Sequence, residues 1–390
     1  MKKRTRAALA LCIVLVFGAV LLKGEVKIFA AEKTEDDTRE YLEEMMEELD
    51  FAELDDFFAE REKAVSFSDV VQGLLEDGIF SFDYSLIFQW GKDALFSEIS
   101  QNRILFIEIL LLAVGFSVLN SFTGAFQSAY VSELCFLLIY CVLAVLLLES
   151  FLNFHEIAEQ TLNQNVEFLK TLLPTLCMTM VFSSGAASSA GFYQLAFLVI
   201  FLIQWLFVQV FLPMIHVYVL FELFHHFFPE EKFRNLSELL GDIIRWGMKL
   251  AMGVVAGLSV VENLIAPAKD RLVNGAFVRT AALIPGVGNV IGSVNDLFVG
   301  AGMVIKNCVG VAALLLLLLI GFLPIAKIAC LTFFYKLAAA VAEPITDRRI
   351  AGCLKGMAQG GVLYLKLTGY SLLFLFTTIA LTVAASAFIR

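Results

Sequence analysis

The chain has 390 residues, of which 59% are hydrophobic and only 17% are charged, and its mean hydropathy is +0.82. These values exclude an ordinary soluble globular protein and predict an all-α, polytopic helical membrane protein. The net charge of −10 is local, because residues 32–62 carry fifteen acidic and three basic side chains. The net charge therefore neither supports nor excludes binding to nucleic acid. We predict no nucleic-acid partner.

The first segment, residues 1–31, has the pattern of a signal peptide or an N-terminal anchor. Basic residues precede an apolar run from Ala7 to Leu22, and Ala30-Ala31 offers a cleavage point. In both cases the next segment, residues 32–100, lies outside the cytoplasm. We predict an acidic, amphipathic-helical extracytoplasmic region there, whose apolar stripe packs on the rest of that region or docks another protein. The stripe consists of Leu42, Met45, Met46, Leu49, Leu54, Phe57 and Phe58.

Residues 101–390 form the predicted membrane domain, with about six transmembrane helices. The spans are 104–119, 131–148, 193–228, 250–265, 304–341 and 362–388. Basic residues place the loops after the third and fifth spans in the cytoplasm and the C-terminus outside. Two further segments, 168–191 and 281–302, are short, apolar and rich in small residues or proline. They favour re-entrant hairpins or broken helices over full spans.

Six of the seven prolines fall into pairs that indicate an internal duplication, with copies at about residues 131–240 and 241–355. The pairs are Pro174 with Pro285, Pro213 with Pro324, and Pro229 with Pro344. The first two pairs are each 111 residues apart, and both members of the second pair end a Phe-Leu-Pro tripeptide. Because two spans separate equivalent positions, we predict parallel repeats that form a pseudo-symmetric membrane scaffold.

Certain positions in the membrane domain are predicted to carry function or close helix packing. They are Glu108, Gly253, Gly257, Pro285, Gly286, Gly288, Asp296, Lys306, Pro324, Lys336 and Pro344. A charge within an apolar stretch needs a partner or water, because its burial in hydrocarbon is costly. Lys306 is the foremost of these, since it could pair with Asp296 or line a polar cavity. Gly253 and Gly257 have the spacing at which helix backbones approach closely.

No motif for catalysis, a cofactor or a metal stands out. Residues 286–292 approach a dinucleotide fingerprint, but the last glycine interval is one residue too long and no strand-helix unit surrounds it. His225 and His226 are adjacent, so they point to different faces of a helix and do not form a joint metal site. The seven cysteines occur singly in apolar surroundings. We therefore expect no enzymatic activity, no cofactor and no metal.

The second copy resembles a known family. The stretches 302–310 and 322–328, and above all 335–344 with Asp347 close behind, look like the stage III sporulation protein AE family. The likeness is detailed from about residue 280 to 365. In architecture it covers most of the chain: a signal segment, an exported acidic region and a multi-span body.

The resemblance implies a role in endospore formation, in the mother-cell membrane around the forespore. It implies partners from the stage III sporulation A complex, including ring-forming subunits and a cytoplasmic ATPase, and also stage II sporulation protein Q. The complex is expected to act as a channel or secretion-like apparatus. Within that apparatus this chain, as a single copy or a homo-oligomer in the lipid bilayer, would be the membrane platform or conduit.

Two other classes of membrane protein remain open at this point. A stand-alone secondary transporter also has duplicated halves and broken helices, but it seldom needs an exported acidic domain. Its ion coupling also needs intramembrane carboxylates, which are few here. The permease half of an ATP-driven importer is the third class, and the cytoplasmic loop 229–249 lacks the coupling pattern expected of it.

Overall fold

The computed structural model describes residues 42, 44–59, 66–76, single positions between 100 and 118, 129–184, 187–227, 233–281, 288–344, 346 and 348–387. Every regular element in these residues is helical, which confirms the predicted all-α fold. The predicted signal segment lies outside the described residues.

Among the elements whose bounds the described residues give, two short helices precede six longer ones. The short helices are α1 (Ala52–Ala59) and α2 (Phe67–Glu76). The longer ones are α3 (Ala129–Ser184), α4 (Ala187–Leu206), α5 (Leu212–Phe227), α6 (Arg234–Ala281), α7 (Gly288–Ala342) and α8 (Arg348–Ala387), and a π-helical turn (Phe207–Phe211) joins α4 to α5.

Four helices in the described part of the chain are long and apolar enough to cross a membrane. They are Tyr140–Ser183, Phe197–His226, Phe298–Ala342 and Arg348–Ala380. Each overlaps one of the six predicted spans. Of the other two, 104–119 falls mostly outside the described residues, and 250–265 lies within α6. Which ends of the spans face the cytoplasm stays a prediction.

In the segment 168–191, for which we predicted a re-entrant hairpin or a broken helix, α3 continues without interruption to Ser184 and α4 begins at Ala187. The helix is therefore not broken at Pro174. Pro174 lies inside this helix, where its missing N–H removes one backbone hydrogen bond. Its side chain is exposed, whereas Leu172 and Leu176 on either side are fully buried. Tertiary packing on both sides of the proline therefore outweighs the lost hydrogen bond.

The second segment for which we predicted a hairpin or a broken helix, 281–302, is helical over its described residues. Ala281 ends α6, and residues 288–302 belong to the continuous helix α7. Pro285 and Gly286 lie outside the described residues.

The two Phe-Leu-Pro tripeptides also differ in local structure. Pro213 follows the π-helical turn Phe207–Phe211, in which the backbone N–H of Leu212 bonds to the carbonyl of Phe207. In a regular helix the ring of Pro213 would clash with the backbone carbonyl four residues earlier. The wider π-helical turn moves that carbonyl away from the ring. Pro324 lies within α7, which has no such turn assigned to it.

The long helices pack side by side over most of their length. Helices α7 and α8 are antiparallel, since Gly310 faces Val383 and Gly321 faces Leu372. Helix α3 lies along both, and buried aromatic rings fill the space between the three helices. The rings belong to Phe151, Phe154, Tyr335 and Tyr364, with centroid distances of 5.4 Å to 6.5 Å between those in contact.

The part of the apolar stripe that belongs to α1 packs on the membrane domain. Leu54, Phe57 and Phe58 of α1 are buried, as the amphipathic pattern predicted. The rings of Phe57 and Phe58 lie 5.7 Å and 6.0 Å from that of Phe168 in α3, and Phe67 of α2 lies 6.3 Å from Phe58. Helix α1 is thereby fixed against the flank of α3, while α2 packs on α1 and α7.

Candidate functional site

Three helices meet at a buried group of side chains that we call the central polar cluster, formed by Asn165 of α3, Gln204 of α4 and Ser371 of α8. Asn165 Nδ2 donates to the Ser371 hydroxyl at 2.7 Å, and that hydroxyl donates to Gln204 Oε1 at 2.6 Å. Gln204 Nε2 donates to the backbone carbonyl of Ser371 at 2.9 Å. Each residue is at most 1% exposed, so the cluster is closed to solvent.

The chemistry of the central polar cluster is that of a clamp between helices. Its three side chains are uncharged, and they satisfy one another within apolar segments. A hydrogen bond between membrane helices contributes about 0.6 kcal/mol on average, whereas an unsatisfied buried partner costs about 1–3 kcal/mol. The cluster therefore penalises any other alignment of α3, α4 and α8 more than it stabilises the observed one.

A second polar group joins α3 to α5 and α8 at the edge of the core. His155 Nδ1 lies 3.0 Å from the Tyr364 hydroxyl, and its Nε2 lies 3.7 Å from Glu159 Oε2. The His216 ring is 5.2 Å from that of His155 and also packs on Phe151. No three His, Cys, Asp or Glu side chains in the described residues are grouped so that they could hold a metal ion.

Helix α8 approaches α5 along three glycines, which we call the glycine seam. Gly352, Gly356 and Gly360 lie opposite His226, Glu222 and Val219, respectively. A Cβ at Gly360 would overlap a methyl group of Val219, and a Cβ at Gly356 would lie 3.1 Å from Cβ of Glu222. Sequence analysis missed this seam, although a glycine at every fourth residue is a signal for close helix packing.

The carboxylate of Glu222 lies where α5, α6 and α8 meet. The hydroxyl of Ser237 in α6 donates to one of its oxygens, and Gly356 leaves room for it on the side of α8. His226 Nδ1 lies 2.7 Å from the Glu222 backbone carbonyl and 3.9 Å from its carboxylate. The carboxylate of Glu222 is thus held between three helices by contacts with its neighbours.

Lys306 is buried within α7, with 3% of its surface exposed. Asp296 belongs to the same continuous helix, so ten residues separate their Cα atoms by about 15 Å along the axis. That distance exceeds the combined reach of the two side chains, and the predicted direct ion pair is not compatible with the helix. A functional role for Lys306 stays a prediction.

Two other predicted packing residues do not make the contacts expected of them. Gly253 and Gly257 lie in α6, and no atom of the described structure is within 4 Å of a Cβ built on either. Both residues are exposed. Close packing through spaced glycines is found at the glycine seam of α8 instead.

The remaining predicted positions are dispersed along the chain. Glu108 is helical and exposed, Gly288 is the first residue of α7, and Pro324 lies inside the same helix. Lys336 is exposed on α7, and Pro344 is exposed in the turn that follows. The structure therefore does not bring the predicted positions together in one site.

The helices and the contacts between them define a polytopic α-helical membrane protein. The family model described as Stage III sporulation protein AE matches residues 65–386. The match includes the whole of the described bundle, and the chain belongs to this family. Its role is therefore in sporulation.

A curated relative agrees with the family match. Stage III sporulation protein AE of Bacillus subtilis (strain 168) is 27% identical over 277 residues, which cover 70% of this chain and 68% of the relative. No solved structure matches the chain.

Proposed function

We propose that the chain is a membrane subunit of a channel or secretion-like complex between mother cell and forespore, and that endospore development requires it. Family membership supports the sporulation role. The packing of the bundle supports the role of a structural subunit, because large rings occupy its centre. Besides the aromatic rings shared by α3, α7 and α8, Phe207 and Phe374 lie 5.7 Å apart and are fully buried.

The proposed setting is the mother-cell membrane around the forespore, with the N-terminal region outside the cytoplasm. The proposed partners are other stage III sporulation A proteins, including ring-forming subunits and a cytoplasmic ATPase, together with stage II sporulation protein Q. The chain itself has no catalytic role in this proposal. Long helices packed through buried aromatic rings suit a platform on which other subunits assemble.

Purification from sporulating cells tests the proposal. A tagged copy replaces the chromosomal one, the membrane fraction is solubilised in mild detergent, and co-purifying proteins are identified by mass spectrometry. We expect ring-forming sporulation proteins to be recovered with the chain, and heat-resistant spores to be lost when the gene is deleted. A tagged membrane protein of vegetative cells serves as the control for non-specific recovery.

The rival proposal is a stand-alone secondary transporter. It predicts that the chain is recovered alone and that it drives substrate uptake in liposomes. The central polar cluster does not support this rival, because its side chains are uncharged and bond to one another. Recovery alone, combined with uptake, would overturn the proposed function.

A further inference from the structure

One flank of α3 is polar between two stretches of the same helix whose exposed residues are apolar. We call it the α3 polar face, and it consists of the exposed residues Asn153, Glu156, Glu159, Gln160, Asn163, Glu167 and Lys170. From Asn153 to Lys170 the face extends about 26 Å along the helix axis. That length is close to the thickness of the hydrocarbon core of a bilayer, which is about 30 Å.

The α3 polar face lies at the level of apolar membrane-spanning segments. On the opposite side of the same turns, Asn165 bonds to Ser371 of α8 and thereby contacts Gln204 of α4. At this level the outward surface of α4 is apolar, because Leu202 and Trp205 are 53% and 51% exposed. One side of the bundle therefore suits lipid, and at the same depth the α3 side does not.

The α3 polar face is also bounded at both ends by apolar surface. Before it, Val142 and Val145 are 53% and 64% exposed, and after it, Met178 and Val181 are 45% and 41% exposed. Charged groups turned toward hydrocarbon in the middle of a helix are costly and are found where they face water or a cavity. The polar face is therefore an interruption of a surface that is otherwise suited to lipid.

Helix α1 adds a second polar surface beside the first. It is fixed near the end of the α3 polar face by the contacts of Phe57 and Phe58 with Phe168. Its exposed residues include the acidic side chains Glu53 and Asp56. These groups also need water, so a second element indicates a hydrated region on this side of the bundle.

We propose that the α3 polar face lines a water-filled passage through the membrane, formed between this chain and a neighbouring chain. The inference rests on the proposed function and adds where the passage runs: beside the packed bundle and not through it. The passage admits small polar solutes and favours cations. Three glutamates face it, while the ammonium group of Lys170 lies toward the Phe201 ring of α4, 5.6 Å from its centroid.

Thiol labelling in sporulating cells tests the passage. The full chain, with its native cysteines replaced by serine or alanine, takes the place of the chromosomal copy, and spore counts confirm that this background functions. Asn163→Cys on the α3 polar face is compared with Leu202→Cys on the lipid-facing side of α4, using a membrane-impermeant cationic methanethiosulfonate. Because the reactive species is the hydrated thiolate, we expect position 163 to react at least about tenfold faster.

Equal rates at the two positions overturn the proposal. If both are slow, hydrocarbon or protein covers the face, and if both are fast, this level of the bundle is outside the bilayer. Changing Glu156, Glu159 and Glu167 together to glutamine should lower the ratio of cationic to anionic reagent rates by about tenfold at low salt. An unchanged ratio overturns the preference for cations.

The outcomes separate this inference from the proposed function. Recovery of ring-forming sporulation proteins without fast labelling at position 163 retains the subunit role and removes the passage beside α3. Fast labelling at position 163 in a chain recovered alone removes the proposed complex and supports a hydrated path in a single subunit or its homo-oligomer.

Discussion

Replacing Gly302 by alanine should force α7 away from the end of α3. A Cβ at this position would lie 2.5 Å from the carbonyl carbon of Phe182, 2.6 Å from its oxygen and 2.9 Å from the nitrogen of Ser183. All three are backbone atoms, so no change of side-chain rotamer can relieve the overlap. The two helices must separate by roughly 1 Å to restore ordinary contact distances.

The expected loss of stability follows from two opposing effects. Overpacking of this kind costs about 1–3 kcal/mol, whereas replacing a glycine by alanine inside a helix stabilises it by about 0.5–1 kcal/mol. The net destabilisation is therefore between about 0 and 2.5 kcal/mol. Gly300→Ala is the matched control, because it lies in the same helix and no described atom is within 4 Å of its Cβ. The control variant should gain only the stabilisation of about 0.5–1 kcal/mol that alanine gives over glycine inside a helix.

Unfolding of the purified protein in detergent, followed by tryptophan fluorescence, measures the difference. We expect the Gly302→Ala variant to have the lower midpoint and the two variants to differ by about 1–3 kcal/mol. A Gly302→Ala variant as stable as Gly300→Ala would refute the close backbone contact between α3 and α7.

Three further changes test other contacts. Ser371→Ala removes the hydroxyl shared by two buried amides and should lower the free energy of unfolding by about 1–3 kcal/mol. The control Thr377→Val, whose hydroxyl bonds within its own helix, should lower it less. Equal losses would contradict the role of the central polar cluster as a clamp between helices. Lys306→Met should lower spore counts, whereas Lys336→Met, at an exposed position of the same helix, should not. Normal spore counts for both variants would refute a functional role for Lys306. Phe168→Ala should cost about 3–5 kcal/mol and speed proteolysis of α1, and unchanged proteolysis contradicts the docking of α1 on α3.

The apolar stripe of α1 illustrates how far sequence periodicity reaches. Spacings of three and four residues predicted which side of this helix would be buried, and Leu54, Phe57 and Phe58 are buried. Periodicity is a local property, so it could not name Phe168, more than 100 residues away, as the partner. The surface that receives an amphipathic helix depends on the fold of the whole chain.

The prolines show where a local sequence signal for a helix break fails. Pro174 is a strong local signal for a break, yet α3 continues through it because buried residues on both sides hold the helix against neighbouring helices. A proline removes one hydrogen bond and adds one clash, and both are local costs. Packing energy summed along a 56-residue helix exceeds them.

Glycine spacing identified a real type of contact and assigned it to the wrong helix. The Gly253 and Gly257 pair and the glycine seam of α8 have the same four-residue interval. Only the seam faces another helix closely, with Val219 and Glu222 opposite its glycines. An interval fixes which residues share a helix face, but it does not say which face is covered.

The sequence by itself determined the class of this protein, its helical character and its family, because hydropathy, periodicity and family motifs are carried by residues that are near one another in the chain. Tertiary structure alone decided where the helices end, which glycines admit a neighbour and which polar groups meet. Asn165 and Ser371 are 206 residues apart and share one buried hydrogen bond. Such a contact depends on how long helices align, and that alignment is set by packing over their whole length.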